Sequence, residues 1–83
     1  MKKIVKFSTI YCGPCKVLSP IFKKVALNTP NIIFEEIDCD DNAELAKSLG
    51  IRGVPTLILF ENDIEIKRNV GLISEQELIK FLS

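Results

Sequence analysis

Two cysteines separated by a glycine and a proline restrict the possible folds of this chain more than any other feature. They are Cys12 and Cys15, in the segment YCGPCK. The short stretch before them, Lys2–Ser8, is rich in β-formers and predicts a strand. Apolar residues after them recur at helical spacing and predict a helix to about Leu27, which Pro20 inside it should kink. The motif therefore joins a strand to a helix, as in α/β domains.

Three further segments have the character of strands. Ile32–Asp38 is rich in β-branched and aromatic residues. Thr56–Phe60 is a continuous apolar run, which predicts a central strand covered on both faces. Ile64–Val70 alternates apolar and polar residues, as a half-exposed strand does, and a tight turn separates it from the preceding strand.

Two more helices are predicted from capping boxes, in which a side chain at each end of the first turn bonds to the backbone at the other. Asp41 with Glu44 opens a short helix that Gly50 ends. Ser74 with Glu77 opens the final helix. The side chains of this last helix that should face inward are Leu78, Ile79, Phe81 and Leu82.

The element order is β-α-β-α-β-β-α, and residues 1–83 form one domain. A helix joins the first two strands, so they should be parallel, and the tight turn makes the last two antiparallel. Eleven basic residues balance eleven acidic ones, which argues against binding to nucleic acid or an anionic membrane. No apolar run approaches a membrane span or a signal peptide, so we expect a cytoplasmic protein.

The cysteine pair has three possible roles: a zinc site, a structural disulfide or a reactive dithiol. Zinc needs four ligands, and besides the pair the chain offers only distant Cys39 and no histidine. A disulfide closing so short a loop restricts the unfolded chain little. A C-x-x-C motif beside a βαβ pattern is instead typical of redox chemistry. We therefore predict no metal site and no bound cofactor.

The position of the motif predicts different roles for the two sulfurs. Cys12 lies at the start of a helix, where free N–H groups and the helix dipole stabilise a thiolate. The thiolate is the nucleophile, so Cys12 should attack a substrate disulfide. Cys15, one turn on, is close enough to attack Cys12 and release the reduced substrate.

Three segments resemble the thioredoxin family in order and almost without gaps. They are YCGPCK at 11–16, IDCDDNAELAKSLGIRGVPTLILF at 37–60, and VGLISEQELIKFL at 70–82. The resemblance implies a thioredoxin-like fold, with a four-stranded mixed sheet flanked by three helices. It also implies a cis peptide bond between Val54 and Pro55, facing the cysteines.

The resemblance further implies a substrate-docking rim. In the family, the backbone before the cis-proline pairs with a bound substrate strand, and here that contact falls on Val54. Glycine and proline residues of the rim could instead be turn residues only. The docking rim consists of Tyr11, Gly13, Pro14, Gly53, Val54, Pro55, Gly71 and Leu72.

The sequence departs from the family pattern in several places. The chain begins at the strand before the cysteines, as in the minimal core of glutaredoxins and small redoxins. Tyr11 stands where the family usually has tryptophan. Cys39 stands where the family often has an apolar residue, and is either a small buried hydrophobe or a regulatory thiol.

Another departure concerns two charged residues. The family's buried aspartate on the first strand is Lys6 here, and the lysine that often accompanies it aligns with Glu36. A buried charge needs a partner, so we predict a Lys6–Glu36 ion pair. Either Glu36 or neutral Lys6 could transfer a proton to and from Cys15. Alternatively, the lysine head reaches water and has no role.

The resemblance implies a monomeric thiol–disulfide oxidoreductase that reduces disulfides of client proteins with electrons from a thioredoxin-reductase-type donor. A glutaredoxin-like protein using glutathione is one alternative, although no double-glycine acidic motif follows Gly71. A non-catalytic binding module and a metal carrier are the others.

Overall fold

The chain forms four strands and three helices in the predicted order. The computed structural model describes all residues from 1 to 83. The elements are β1 (Lys2–Ser8), α1 (Gly13–Leu27), β2 (Ile32–Asp38), α2 (Ala43–Ser48), β3 (Thr56–Glu61), β4 (Ile64–Val70) and α3 (Glu75–Phe81). Pro20 lies within α1, which runs unbroken past it. No helix is long and apolar enough to cross a bilayer.

The strands form one mixed sheet in the order β2-β1-β3-β4. β1 and β2 are parallel, and β3 is antiparallel to both β1 and β4, which confirms the predicted α/β fold. Phe7 pairs with Thr56, and Thr56 with Val70. The residues after β1, before β3 and after β4 therefore meet at one end of the sheet.

The two faces of the sheet have different coverings. On one face, α1 and α3 bury the main cluster, which consists of Ile4, Leu18, Phe22, Val25, Leu57, Leu59, Ile73, Leu78 and Leu82. On the other face, the buried cluster contains only Val5, Phe7 and Ile58. Leu49, directly after α2, packs against this smaller cluster. The predicted burial of β3 on both faces is confirmed, because residues 56 to 59 are buried without a break.

The capping box predicted at Asp41 and Glu44 is wrong. The N-cap of α2 is Asn42, and its side chain makes no capping hydrogen bond. Its amide instead donates to the Asp38 carbonyl oxygen at 3.0 Å, within the turn that follows β2. The helix therefore begins one residue late, and Glu44 falls at its second position rather than its third, the position that a capping box requires. Gly50 ends α2 as predicted, at φ +70°.

The prediction that Ile79 faces inward is also wrong. Leu78 and Leu82 are buried, Phe81 is partly buried, and Ile79 is 53% exposed. Leu78 and Leu82 are four residues apart and share one helix face, whereas Ile79 lies about 100° around the helix from Leu78. In a helix of seven residues, only one narrow face meets the sheet. The predicted capping box of Ser74 and Glu77 is present.

Candidate active site

The cysteine pair lies at the first turn of α1, as the sequence predicts. Cys12 is the N-cap residue, with extended backbone angles of φ −94° and ψ 112°. Gly13 begins the helix, and Pro14 occupies the first turn, where its missing N–H interrupts no helical hydrogen bond. Cys12 and Cys15 form a disulfide, with their Cα atoms 5.2 Å apart. This geometry allows the pair to open and close with little backbone movement.

The surroundings of the two sulfurs differ. Cys12 is partly exposed, whereas Cys15 is only 3% exposed. The backbone N–H of Cys15 donates to Cys12 Sγ at 3.1 Å. Hydrogen bonds from helix N-terminal amides stabilise a thiolate once the disulfide opens. The arrangement therefore suits Cys12 for attack on an external disulfide and Cys15 for an internal step.

The segment before β3 and the segment after β4 lie at the same end of the sheet as the cysteine motif. The Val54–Pro55 peptide bond is cis, and Pro55 is buried. The Gly71 N–H donates to the Pro55 carbonyl oxygen at 2.8 Å. Gly71 has φ +102°, which favours glycine. A Cβ on Gly53 would lie 3.4 Å from a methyl group of Val70, so this turn packs closely against β4.

Apolar side chains are exposed around the cysteines. Tyr11 is 86% exposed and Leu72 is 47% exposed. Gly13 leaves open space beside Cys12. Sequence reasoning missed two exposed neighbours at this sheet end, Ile10 at 61% and Val70 at 65% exposed. Val70 could have been found from its position as the last residue of a half-exposed strand, directly before Gly71.

Lys6 and Glu36 form the predicted ion pair. They are directly opposite each other on β1 and β2, with Lys6 Nζ 2.8 Å from Glu36 Oε1. The lysine side chain is 4% exposed and the glutamate side chain is 42% exposed. The alternative in which the lysine head reaches water is therefore wrong. The charged pair spans the boundary between the protein interior and solvent.

An open cavity of about 310 Å³ adjoins this ion pair and Cys15. Its polar character comes from two lysines, a glutamate and three hydroxyl groups. Ser19, which sequence reasoning missed, lies four residues after Cys15 and thus on the same helix face. The lining residues are Lys6, Ser8, Thr9, Ile10, Cys15, Lys16, Ser19 and Glu36.

The third cysteine lies just beyond the end of β2. Cys39 is partly buried against the smaller cluster, and its N–H donates to the Ser8 carbonyl oxygen at 2.8 Å. Burial raises the pKa of its thiol, and the carboxylates of Asp38 and Asp40 raise it further. The side chain thus matches neither expectation fully, because it is half-buried and poorly ionised. No group of three or more candidate metal ligands occurs in the structure.

Comparison with known proteins gives one consistent family. The thioredoxin family model matches residues 1–83. The chain belongs to the thioredoxin family. It is 36% identical to the thioredoxin of Chlamydia muridarum over 80 residues, which are 96% of this chain and 78% of that protein. It is 37% identical to the thioredoxin of Mycoplasma genitalium over 76 residues, 92% of this chain and 74% of that one.

Solved thioredoxin structures share the fold closely. A mutant thioredoxin from Halobacterium salinarum superposes with a TM-score of 0.93 at 36% identity, over 98% of this chain and 71% of that one. Thioredoxin NaTrxh from Nicotiana alata gives 0.93 at 30% identity, over 98% and 70%. With the disulfide-distance pair at the helix start, family membership identifies the chain as a thiol–disulfide oxidoreductase.

Proposed function

We propose that this thioredoxin-family chain reduces disulfides of client proteins in the cytoplasm, with Cys12 as the attacking thiolate and Cys15 as the resolving thiol. The observation that carries these roles is the difference in exposure between two cysteines at disulfide distance, one partly exposed and one 3% exposed. A client sulfur can approach only the exposed one. A cytoplasmic location suits the chemistry, because cytosolic cysteines usually serve redox or metal functions rather than permanent disulfides.

The reaction proceeds by two thiol–disulfide exchanges. Cys12 thiolate attacks one sulfur of the client disulfide, forms a mixed disulfide, and displaces the other client sulfur as a thiolate. Cys15 loses its proton and attacks Cys12 Sγ, which displaces the second client thiolate. The client gains two electrons and two protons, and the Cys12–Cys15 pair becomes oxidised.

The docking rim would hold the client beside Cys12. Val54 would pair its backbone with an extended client segment, which is strand addition beside the sheet. The exposed side chains of Tyr11 and Leu72 would cover apolar client residues, and Gly13 leaves room for the approach. The sheet register supports this proposal because it brings the segments after β1, before β3 and after β4 to one end. The chain would act as a monomer on such clients.

An equilibrium redox titration with peptide mass mapping tests the reaction. We expect a Cys12–Cys15 disulfide with a potential near that of thioredoxin, about −270 mV. Cys12→Ser and Cys15→Ser should each abolish the two-electron couple, while Cys39→Ser should keep it. Absence of a Cys12–Cys15 disulfide would refute the proposal. Full biological function of the Cys12→Ser, Cys15→Ser double variant would favour a binding module instead.

The electron donor is tested separately. We propose a thioredoxin-reductase-type partner, since thioredoxins are reduced by thioredoxin reductase. Reduction of the oxidised chain by NADPH should require such a reductase. A comparable rate with glutathione alone would point to a glutaredoxin-like function and overturn this part of the proposal.

A further inference from the structure

Two contacts hold the Lys6 side chain in place. Its Nζ lies 2.8 Å from Glu36 Oε1 and 5.6 Å from the centre of the Phe22 ring. The first contact is an ion pair, and the second is the approach of a cation to the face of an aromatic ring. The Lys6 head is thus engaged with Glu36, and within this pair the carboxylate is the group with a free oxygen that could accept a proton.

Glu36 has the position and the free capacity that a proton acceptor needs. Its Oε1 accepts from Lys6 and, at 3.5 Å, from the hydroxyl of Ser19. Its second carboxylate oxygen makes no hydrogen bond within the protein. Glu36 and Cys15 line the same cavity, and about 310 Å³ holds several water molecules. Water can thus connect the carboxylate with the thiol, which itself is almost fully buried.

We propose that Glu36 accepts, through water in this cavity, the proton that Cys15 loses when it resolves the mixed disulfide, and that Lys6 positions the carboxylate for this step. The inference rests on the proposed function, because it assigns the proton transfer of that reaction. The proton passes from Cys15 Sγ to water and from water to the carboxylate. The Cys15 thiolate then bonds to Cys12 Sγ, and the departing client thiolate takes up a proton from solvent.

The charges around the cavity make Glu36→Gln change the rate of resolution in opposite directions under the two possible mechanisms. The charged groups that line this cavity together with Cys15 are Lys6 from β1, Glu36 from β2 and Lys16 from α1. If the ion pair acted only through its electric field, Glu36→Gln would leave two cations near Cys15. That change would stabilise the thiolate and speed resolution. If Glu36 is the proton acceptor, the same substitution slows resolution.

The experiment follows both exchange steps with 5,5′-dithiobis(2-nitrobenzoate) in a stopped-flow instrument. Reduced protein releases one coloured thiolate when Cys12 attacks and a second when Cys15 resolves the mixed disulfide. Cys39→Ser serves as the background for every variant, so that the third thiol does not contribute. In this background, Glu36→Gln should leave the first phase unchanged. It should slow the second phase about a hundredfold near pH 7, the lower end of the usual contribution of an acid–base group.

The pH profile separates proton transfer from a structural effect. The deficit of Glu36→Gln should shrink as the pH rises, because hydroxide replaces the missing acceptor. Glu36→Asp should restore part of the rate. The matched control is Glu35→Gln, since Glu35 is exposed and points to the opposite sheet face. This control should keep the wild-type second phase at every pH.

The outcomes are distinct. A second phase that is unchanged or faster in Glu36→Gln would overturn the proposal, the faster one in favour of the field effect. Loss of the first phase in the background protein itself would instead contradict the proposed function. If Glu36→Gln does not fold, because it leaves Lys6 buried and unpaired, the Lys6→Met, Glu36→Gln double variant replaces it. This variant should show the same slow, pH-dependent second phase, and a wild-type profile in it would overturn the proposal.

Discussion

Three cysteines of this chain occupy three different environments, and the environments decide their chemistry. Cys12 begins a helix and is partly exposed, Cys15 is buried one turn later, and Cys39 is half-buried near two carboxylates. The first two environments follow from local sequence, since a strand, a C-x-x-C motif and a helix are adjacent along the chain. The carboxylates beside Cys39 are its chain neighbours Asp38 and Asp40, but its burial depends on contacts between β1 and the end of β2, which no local pattern reveals.

The raised pKa of Cys39 predicts that its thiol is alkylated slowly. With the Cys12–Cys15 disulfide closed, Cys39 is the one free thiol. A raised pKa means less thiolate at about pH 8, so iodoacetamide should react more slowly with the folded than with the unfolded protein. Asp40→Asn removes one carboxylate that raises this pKa, and should speed alkylation about twofold.

Asp41→Asn provides the control for this prediction. Asp41 is the next residue and is exposed, but it is not among the groups that raise the Cys39 pKa. Its substitution should leave the alkylation rate unchanged. Equal rates in Asp40→Asn and wild type would show that the Asp40 carboxylate does not slow this thiol.

Lys6 illustrates where residue-level prediction stops. The sequence shows a lysine in a strand that also contains Ile4, Val5 and Phe7. Whether its head reaches water depends on what lies across the sheet and beneath α1. The structure places Glu36 directly opposite it and the ring of Phe22 beside it. The ion pair could be predicted from family resemblance, whereas the contact with Phe22 could not.

At the scale of elements, the two predicted capping boxes had opposite outcomes for a physical reason. Ser74 and Glu77 follow Gly71 and Leu72, and no other hydrogen bond occupies their side chains. The turn before α2 is different, because Asp38 accepts from the Asp40 N–H at 2.8 Å. The polar groups after β2 bond to one another, which shifts the helix start. Capping patterns predict a helix well only where neighbouring polar groups do not compete.

The capping box of α3 gives a stability prediction. Ser74→Ala removes the hydroxyl that accepts the Glu77 N–H at 3.1 Å and should lower the free energy of unfolding by about 1 kcal/mol. Glu77 accepts from the Ser74 backbone N–H, and this bond together with the Ser74 side chain lowers the pKa of its carboxyl. The ionised form is thus favoured by folding. The stability that the ionised Glu77 carboxylate contributes is present at neutral pH and is lost as the pH falls through the lowered pKa.

Urea unfolding at two pH values checks this sign. Glu77→Gln should be less stable than wild type near pH 7, and the two should converge as the pH falls through the lowered pKa and the carboxyl becomes protonated. Glu75→Gln removes an acidic side chain from the same helical turn without affecting either capping bond. Near pH 7, Glu75→Gln should differ from wild type in its free energy of unfolding by less than Glu77→Gln does. A Glu77→Gln deficit that persists at low pH would argue against the ionised cap.

At the scale of the whole molecule, connection lengths predicted two of the three strand pairings. A helix between β1 and β2 requires a parallel pair, and a turn with Asn62 and Asp63 in left-handed conformation makes β3 and β4 antiparallel. The pairing of β1 with β3 has no such local signal, because more than forty residues separate them. Yet this pairing brings Pro55 to the cysteine end of the sheet. The docking rim is thus a product of topology.

The unequal coverage of the two sheet faces predicts where the molecule opens first. β1 and β3 are interior strands that bond on both sides, and their apolar residues apart from Phe60 are almost completely buried. α2 has six residues, and only Ala46 is buried. Its amides should therefore exchange with solvent through local opening, at least about a hundredfold faster than those of Val5 and Leu57.

Native-state hydrogen exchange at increasing urea concentration measures this difference. Amides of β1 and β3 should exchange only through global unfolding, with a strong dependence on urea, and those of α2 with a weak one. If the amides of α2 exchanged with the same rates and the same urea dependence as those of β1 and β3, α2 would belong to the global folding unit. The expected pattern has a functional consequence. Lys6 lies on β1, and Cys12 lies in the segment that joins β1 to α1. The redox site should therefore be attached to the part of the molecule that unfolds last.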